Sequence, residues 1–469
     1  MNDETQNMIE NHTFDEISIG QTSSVSRTLN HQDIELFALL SGDLNPTHVD
    51  EEFARGAKFS RVVGHSMWGA SLISGVLGTG LPGPGTVYKS QTLNFHGVVH
   101  VGDVVTVTVT VVAKNPEART ITLDCQCVDQ NDRVCVDGQA VVYAPPVKVM
   151  RQLIELPEVH FSEHGARHKK LVETAGKLEP VPTAVVHPVD QVSLEGAVRA
   201  AEAHLIVPLL VGPAAKIRAT AEEFGLDIAN YEIVDVPHSH AAAEKGVALI
   251  REGRAEILMK GSLHTDEFMG AVVTKDTGLR TARRISHAFI MDVPTYPKPL
   301  LITDAAINIY PDLITKADIC QNAIELVQAL GVETPKVAIL SAVETVTPKI
   351  SSTMEAAALC KMADRGQIKG AILDGPLAFD NAISKIAAKT KGISSPVSGE
   401  ADILLVPDLE AGNMIAKQLE YLAHAAAAGV VLGARCPIVL TSRADGTLAR
   451  MASCAVAVLM AHDKRGSAR

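Results

Sequence analysis

The period of the apolar residues changes once along this chain, near residue 170, and that change rules out a single fold class for the whole. Upstream, VVTVTVTVV (104–112) alternates strictly, with Val105, Val107, Val109 and Val111 on one face and Thr106, Thr108 and Thr110 on the other. A period of two is the mark of a strand with one buried face, and 119–128 and 134–143 continue it. Ahead of these, 32–40 reads as a short helix followed by the turn-rich SGDLNPTH. Next comes GHSMWGASLISGVLG (64–78), apolar or small on almost every side. Such a helix is expected to be enclosed all round. One buried helix followed by antiparallel strands predicts a sheet wrapped around a helix.

Downstream the apolar residues run consecutively: HLIVPLLVG, AEILMKG, PLLITD, KVAILSA, GAILDGP, ADILLVPD and PIVLTS alternate with Ala-rich helical stretches. Fully apolar short strands between helices predict a mostly parallel sheet covered on both faces. The 469 residues are too many for one core and suggest about three structural units. We therefore expect a first domain over 15–144 and a linker over 145–171. An α/β region should follow in two lobes, 172–298 with 430–469 and then 299–429. The first 15 or so residues read as a mobile tail. Ala144-Pro145-Pro146 ends the last alternating strand, because proline cannot donate to a ladder. His160, His164 and His168 follow among charges and prolines, which reads as a solvated linker rather than a metal site.

The charge balance narrows the class of partner. A formal charge of −12 gives no global attraction to nucleic acid, so a polyanionic ligand would need local basic clusters. The acidic, polar start is the reverse of a signal peptide, and no apolar run reaches the ~20 residues that span a bilayer. A cytoplasmic protein with no membrane partner is expected. The seven cysteines are scattered and form no disulfide framework. Cys125 and Cys127 fall on one face of a strand, where free thiols pack as small apolar groups. Gly78-Thr-Gly80-Leu-Pro-Gly83 has dinucleotide-loop spacing, but it follows a helix and contains Pro82, the reverse of the strand-to-helix context such a loop needs.

Two segments carry chemistry. In Phe37-Ala-Leu-Leu-Ser-Gly-Asp43-Leu-Asn45-Pro-Thr-His48-Val-Asp50, Asn45-Pro46 interrupts any helix, so Asp43 and His48 share a loop. A carboxylate and an imidazole so placed can hold one water between them and serve as complementary acid and base. Backbone N–H groups where a helix opens, at Ser66 and Met67, could receive developing negative charge. Further on, Lys260-Gly261-Ser262 ends an apolar strand and leads into a helix through Thr265, a turn that suits phosphate. Arg280, Arg283 and Arg284 form a basic cluster. Ser442 and Arg443 follow another strand, where arginine can grip a phosphoryl group and serine can donate to it.

Residues 15–144 resemble the MaoC-type (R)-specific enoyl-CoA hydratases, which have a hot-dog fold. FALLSGDLNPTHVD, GHSMWGASLISGVLG and YKSQTLNF…VHVGD carry the resemblance. It implies Asp43 and His48 as the catalytic pair, with Asn45 holding the loop. Two departures stand out. The family's His-Gly-Met is His65-Ser66-Met67 here, which adds a side chain beside the acyl pocket, and the proline common after the aromatic strand is replaced around Gly97-Val98.

Residues 172–465 are similar to the phosphate acetyl/butyryltransferases, through HPVDQVSLEGAVRAA, LMKGSLHTDEFMGAVV, DGPLAFDNAISK and LEAGNMIAKQLEYLAHAAAAGVVLGARCPIVLTSRAD. SRAD with FDNA looks closer to the butyryl branch. That family exchanges acyl groups between CoA and phosphate, within the isocitrate/isopropylmalate dehydrogenase-like superfamily. The resemblance maps its serine and arginine to Ser442 and Arg443, and an arginine of its first lobe to Arg280. Lys260, Thr265, Asp380 and Asn381 become substrate-binding candidates. The family's thiol-deprotonating aspartate falls on Leu448-Ala449-Arg450, leaving Asp445 and Asp380 as open alternatives. Together the two resemblances imply a bifunctional enzyme that takes acyl-CoA and phosphate, binds no metal or other cofactor, and forms a homo-oligomer. The alternative is a transferase whose first domain only binds acyl-CoA or drives oligomerisation. A metal- and NAD-dependent dehydrogenase would need clustered metal-binding aspartates and a nucleotide loop, neither of which the sequence contains.

Overall fold

The computed structural model describes residues 8–56, 59–152, 165–440 and 446–467, in two compact units divided at Phe161 and Ser162. Unit 1 opens with β1 (Met8–Glu10) and β2 (Thr22–Thr28), then α1 (His31–Ser41), α2 (Pro46–Val49), α3 (Glu51–Gly56) and α4 (Ser66–Thr79). The strands β3 (Val87–Gln91), β4 (Asn94–Phe95), β5 (Val104–Asn115), β6 (Thr120–Val128), β7 (Val134–Tyr143) and β8 (Met150–Gln152) complete it. An antiparallel sheet runs β2-β5-β6-β7-β3, with β4 also on β7. The alternation was legible: Val105, Val107, Val109 and Val111 face the core with Cys125 and Cys127, and α4 adds Trp68, Ile73, Val76 and Leu77.

Three expectations for this region change. The helix α4 is enclosed on one side only; Met67, Ser71, Ser74, Gly75 and Gly78 are exposed in the single chain. The segment from residue 8 is not a loose tail, because β1 pairs with β8 and Asn11 is fully buried. Its amide donates to Pro84 O (2.9 Å) and Val147 O (2.8 Å) and accepts from Val149 N (2.8 Å). The expected linker also contributes structure. β8 lies within it, and His168 is buried in α5 (Ala166–Ala175), its Nε2 3.1 Å from Ile290 O. His160 and His164 lie outside the described residues.

Unit 2 continues from α5 with β9 (Val181–Val186), α6 (Gln191–Glu202), β10 (Ile206–Gly212), α7 (Ala214–Glu223), β11 (Glu232–Asp235), α8 (Ser239–Arg251), β12 (Ile257–Lys260) and α9 (Thr265–Val273). Its middle comprises β13 (Ser286–Asp292), β14 (Leu300–Thr303), α10 (Leu313–Ala329), β15 (Lys336–Leu340), α11 (Ser351–Asp364), β16 (Ile372–Leu377), α12 (Phe379–Ile383) and α13 (Lys385–Thr390). The last elements are β17 (Ile403–Leu405), α14 (Leu409–Leu422), β18 (Ala426–Leu432), β19 (Ile438–Val439) and α15 (Thr447–Ser467).

One sheet of order β11-β10-β9-β12-β19-β18-β13-β14-β17-β15-β16 passes through both expected lobes. β9–β12 and β19 are mutually parallel. The antiparallel neighbours β18, β13 and β14 then reverse direction three times, so that β14, β17, β15 and β16 run opposite to β12. Apolar clusters pack on the sheet in both halves, as consecutive apolar strands require. No described helix is long and apolar enough to cross a membrane.

Candidate active sites

In unit 1 the loop chemistry is local. A capping box between Asn30 and Asp33 starts α1, and Gly42, at φ 74°, ends it in the left-handed conformation. The chain then turns through Asp43 to Asn45, which caps α2 by accepting from Thr47 N (3.2 Å) and Thr47 Oγ1 (2.5 Å). Pro46 occupies the first helical position, where its missing N–H costs nothing. His48 is thereby aimed at Val63 O, 2.8 Å from its Nδ1. A carbonyl only accepts, so Nδ1 carries the proton and Nε2 is left as a base.

His65, given no role by the sequence beyond its place in His65-Ser66-Met67, joins this pair. It is buried, its Nε2 donates to Asp43 O (3.0 Å), and its ring lies 4.0 Å from that of His48. Side-chain donor atoms of Asp43, His48 and His65 all fall within 4.8 Å of one another. These are metal-ligand types, but each imidazole already commits one nitrogen to a backbone carbonyl. Ser66 and Met67 stand where α4 opens, with N–H groups that have no intrahelical acceptor. The cavity there, lined by His65, Ser66, Gly69 and Cys127 among others, holds about 10 Å³, room for roughly one water. The sequence signal for His65 was its place just ahead of the helix.

In unit 2 the corresponding chemistry gathers where β9 and β12 end side by side. β9 is followed by β10 on one flank, while β12 returns to the other, so the strand order reverses between them. The crevice at such a reversal is where open α/β sheets take ligands. The turn after β12 lies close against the end of β9: Gly261 N donates to Val186 O and Ser262 N to His187 O, both 2.9 Å. A Cβ on Gly261 would sit 2.4 Å from Val186 O, so only glycine permits this approach. His187 returns the bond, its Nδ1 2.9 Å from Ser262 O.

Lys260 is buried at the last position of β12, and exposed Thr265 starts α9. Asp190 caps α6 by accepting from Ser193 N (2.9 Å). Burial pushes its carboxyl up, but hydrogen bonds from Ser193 and Ser262, with the Arg450 charge, outweigh that and hold it below the usual carboxylate range. Helices α6, α7, α8, α9 and α15 all begin on this edge, each presenting unsatisfied N–H groups suited to anions. Ser442, Arg443 and Asp445 lie outside the described residues.

The remaining candidates are not brought to this crevice. Arg280 is exposed just before β13, bridged to Ala434 beyond the end of β18. Since β13 runs in the same direction as β12, Arg280 stands at the opposite edge of the sheet. Arg283 there is paired with Glu325 (2.6 Å). Asp380 and Asn381 follow β16, which six strands separate from β12 and which runs the other way. Asp380 is exposed and paired with Lys391 (3.0 Å), whose hydrogen bond holds its carboxyl below the usual range, unsuited to a base. Asn381 is fully buried, its Nδ2 3.4 Å from Glu344. Sequence spacing could not reveal these separations, because they come from strand order.

Over 302 residues, 64% of this chain and 96% of the relative, the sequence is 64% identical to a phosphate acetyltransferase of Rhizobium meliloti. The family model described as phosphate acetyl/butaryl transferase matches residues 239–458. The chain belongs to that family. Within the transferase family it is also similar to a phosphate butyryltransferase of Clostridium acetobutylicum, 43% identical over 55% of this chain and 85% of the other. The crystal structure of a branched-chain phosphotransacylase from Enterococcus faecalis V583 aligns with a TM-score of 0.54 at 31% identity, covering 60% of this chain and 99% of that one. A second model, MaoC like domain, matches residues 16–128. The transferase domain is thus fused to an N-terminal MaoC-like domain of hot-dog fold, its sheet laid against α4.

Proposed function

We propose that this chain catalyses two reactions of CoA thioesters: reversible acyl transfer between CoA and phosphate in unit 2, and hydration of 2-enoyl-CoA to (R)-3-hydroxyacyl-CoA in unit 1. The observation that carries the first is the 64% identity to a phosphate acetyltransferase over 96% of its length. Support for the second is the Asp43 and His48 pair beside the opening of α4, a carboxylate and an imidazole base with N–H donors close by. The substrates are acyl-CoA and phosphate, and the acyl group is acetyl or butyryl. Neither reaction requires a metal.

The seven cysteines favour direct exchange over an acyl-cysteine intermediate. Burial pushes their thiols up, to about 12 for Cys127, Cys320, Cys360, Cys436 and Cys454, far from a reactive thiolate. We also assign the transferase domain to the isocitrate/isopropylmalate dehydrogenase-like superfamily, on its two sets of parallel strands flanking an antiparallel centre. The protein is proposed to work as a homo-oligomer through the exposed small-residue face of α4, and light scattering should give a multiple of the 49.7 kDa chain.

A second reading has its own observation. The cavity at Ser66 is about 10 Å³, too small for an acyl chain, which fits a first domain that serves oligomerisation rather than catalysis. One experiment separates the readings: crotonyl-CoA, butyryl-CoA and acetyl-CoA are each incubated with the full-length protein and phosphate. Hydroxybutyryl-CoA from the first and acyl phosphate from the other two support both activities. Absence of the hydroxy product sinks the hydratase reading, and absence of acyl phosphate sinks the transferase.

A further inference from the structure

The aspartate that the transferase resemblance calls for as a thiol base falls on Leu448-Ala449-Arg450, so the proton of the CoA thiol needs another acceptor. A thiol of ordinary pKa, near 8.5, is mostly protonated at neutral pH, and the thiolate is the nucleophile. Asp445 lies outside the described residues; among the described carboxylates Asp380 and Asp190 offer themselves, and neither fits. Asp380 is paired with Lys391 at the far edge of the sheet, and Asp190 is held ionised by its serines and Arg450. A carboxylate stabilised as an anion is a poor proton acceptor.

We propose that His187 is the general base of the transferase reaction. It is the residue that follows β9, at the point where the strand order reverses, and it faces the turn after β12. Its Nδ1 is 2.9 Å from Ser262 O, and a carbonyl can only accept, so the proton sits on Nδ1 and Nε2 carries the lone pair. The ring is fixed rather than free: Ser262 N bonds the His187 carbonyl, and the end of β10 closes against the residue, where a Cβ on Gly212 would lie 3.4 Å from its Cα. His187 also holds φ at +56°, a left-handed conformation that costs a non-glycine residue energy and that clusters at functional positions. The register puts the third strand in place. Leu258 pairs with Ile438 and Met259 with Val439, so β12 and β19 end together on this edge.

In the thioester-forming direction the S–H bond of CoA breaks and its proton passes to Nε2. The thiolate forms the S–C bond at the acyl carbonyl carbon, and the C–O bond to phosphate breaks. The leaving phosphate takes the proton from Nε2, so the imidazole ends neutral. The reverse reaction runs the same transfers backwards, with imidazolium protonating the departing thiolate.

Other charged or titratable groups around this edge are Asp190 at the start of α6, Asp235 at the end of β11, Lys260 on β12 and Arg450 on α15. His238 and His240 open α8, the first capping Ala241 N and the second paired with Glu267 (2.6 Å). The proposal rests on the transferase reading, and the test keeps the two apart. Wild type, His187→Asn and His187→Ala are assayed as full chains for thioester formation from acyl phosphate and CoA across pH 5 to 9. Asparagine tolerates the left-handed backbone and can still donate to Ser262 O, so His187→Asn removes the base while keeping the turn.

Its kcat should fall by about 10²-fold or more, with KM for acyl phosphate within about twofold of wild type. The acid limb of the wild-type pH–rate profile should disappear. Added imidazole should restore part of the rate to His187→Ala. A His187→Asn enzyme within about threefold of wild type in kcat, or one that keeps the acid limb, overturns the assignment. If wild type itself forms no thioester, the transferase reading falls, and this proposal with it.

Discussion

Units 1 and 2 each place a histidine with Nδ1 donating to a backbone carbonyl and Nε2 left as a base, yet they build that arrangement by opposite routes. His48 is set by a cap four residues long, from Asn45 to His48, and its acceptor Val63 is 15 residues away. His187 is set by a partner 75 residues away, Ser262, across two strands that neighbour each other only because β12 returns beside β9. The first site is a local motif dropped against a helix. The second exists only once the sheet has assembled. A local site should therefore tolerate damage elsewhere in the chain, whereas the crevice should fail with its sheet.

The largest expected effect tests the independence of the two sites. Asp43→Asn and His48→Ala should each lower crotonyl-CoA hydration by about 10²- to 10⁴-fold while leaving acyl transfer unchanged. Joint loss of both activities would show that the units do not work separately.

A smaller effect concerns acid. His287, on β13, is buried with no hydrogen-bond partner at Nδ1, and burial pushes its imidazole down to about 4. In the unfolded chain it protonates near 6.5, so between those values the unfolded state binds more protons. The stability this contributes to unit 2 is complete above about pH 6.5 and is lost as pH falls towards 4, by roughly 3 kcal/mol. Urea unfolding followed by loss of transferase activity should show that slope, and His287→Phe should flatten it. An unchanged slope in His287→Phe would place the acid sensitivity elsewhere.

The smallest effect probes the local route itself. Asn45→Ala removes a cap and should cost unit 1 about 1 kcal/mol. Trp68, the chain's one tryptophan, lies in unit 1 and reports that unit alone, so its fluorescence midpoint in urea should shift while loss of transferase activity does not. A shift in both would mean the two units unfold as one.

Some of this was legible in the sequence for physical reasons. Alternating valines and threonines have one way to bury half their side chains, which made β5 and its neighbours readable from 104–112. Asp43, Asn45 and His48 were readable because caps and turns act over three or four residues. The exposed face of α4 was not: Ser71, Ser74, Gly75 and Gly78 are small enough to be enclosed or left open. The ordered start at Asn11 was hidden for a similar reason, since an asparagine looks like tail until the carbonyls of Pro84 and Val147 surround it.

By itself, then, the sequence determined the two fold classes, the Asp43 and His48 pair, and the apolar strands whose ends carry Lys260 and Gly261. Periodicity and capping are properties of neighbouring residues, so they are written locally. Only the tertiary structure decided that His65 joins Asp43, that His187 meets Ser262, and that Arg280, Asp380 and Asn381 stand away from that crevice. Those outcomes follow from which strands pair and in which direction. Strand pairing is settled by burial across the whole sheet rather than by any one segment.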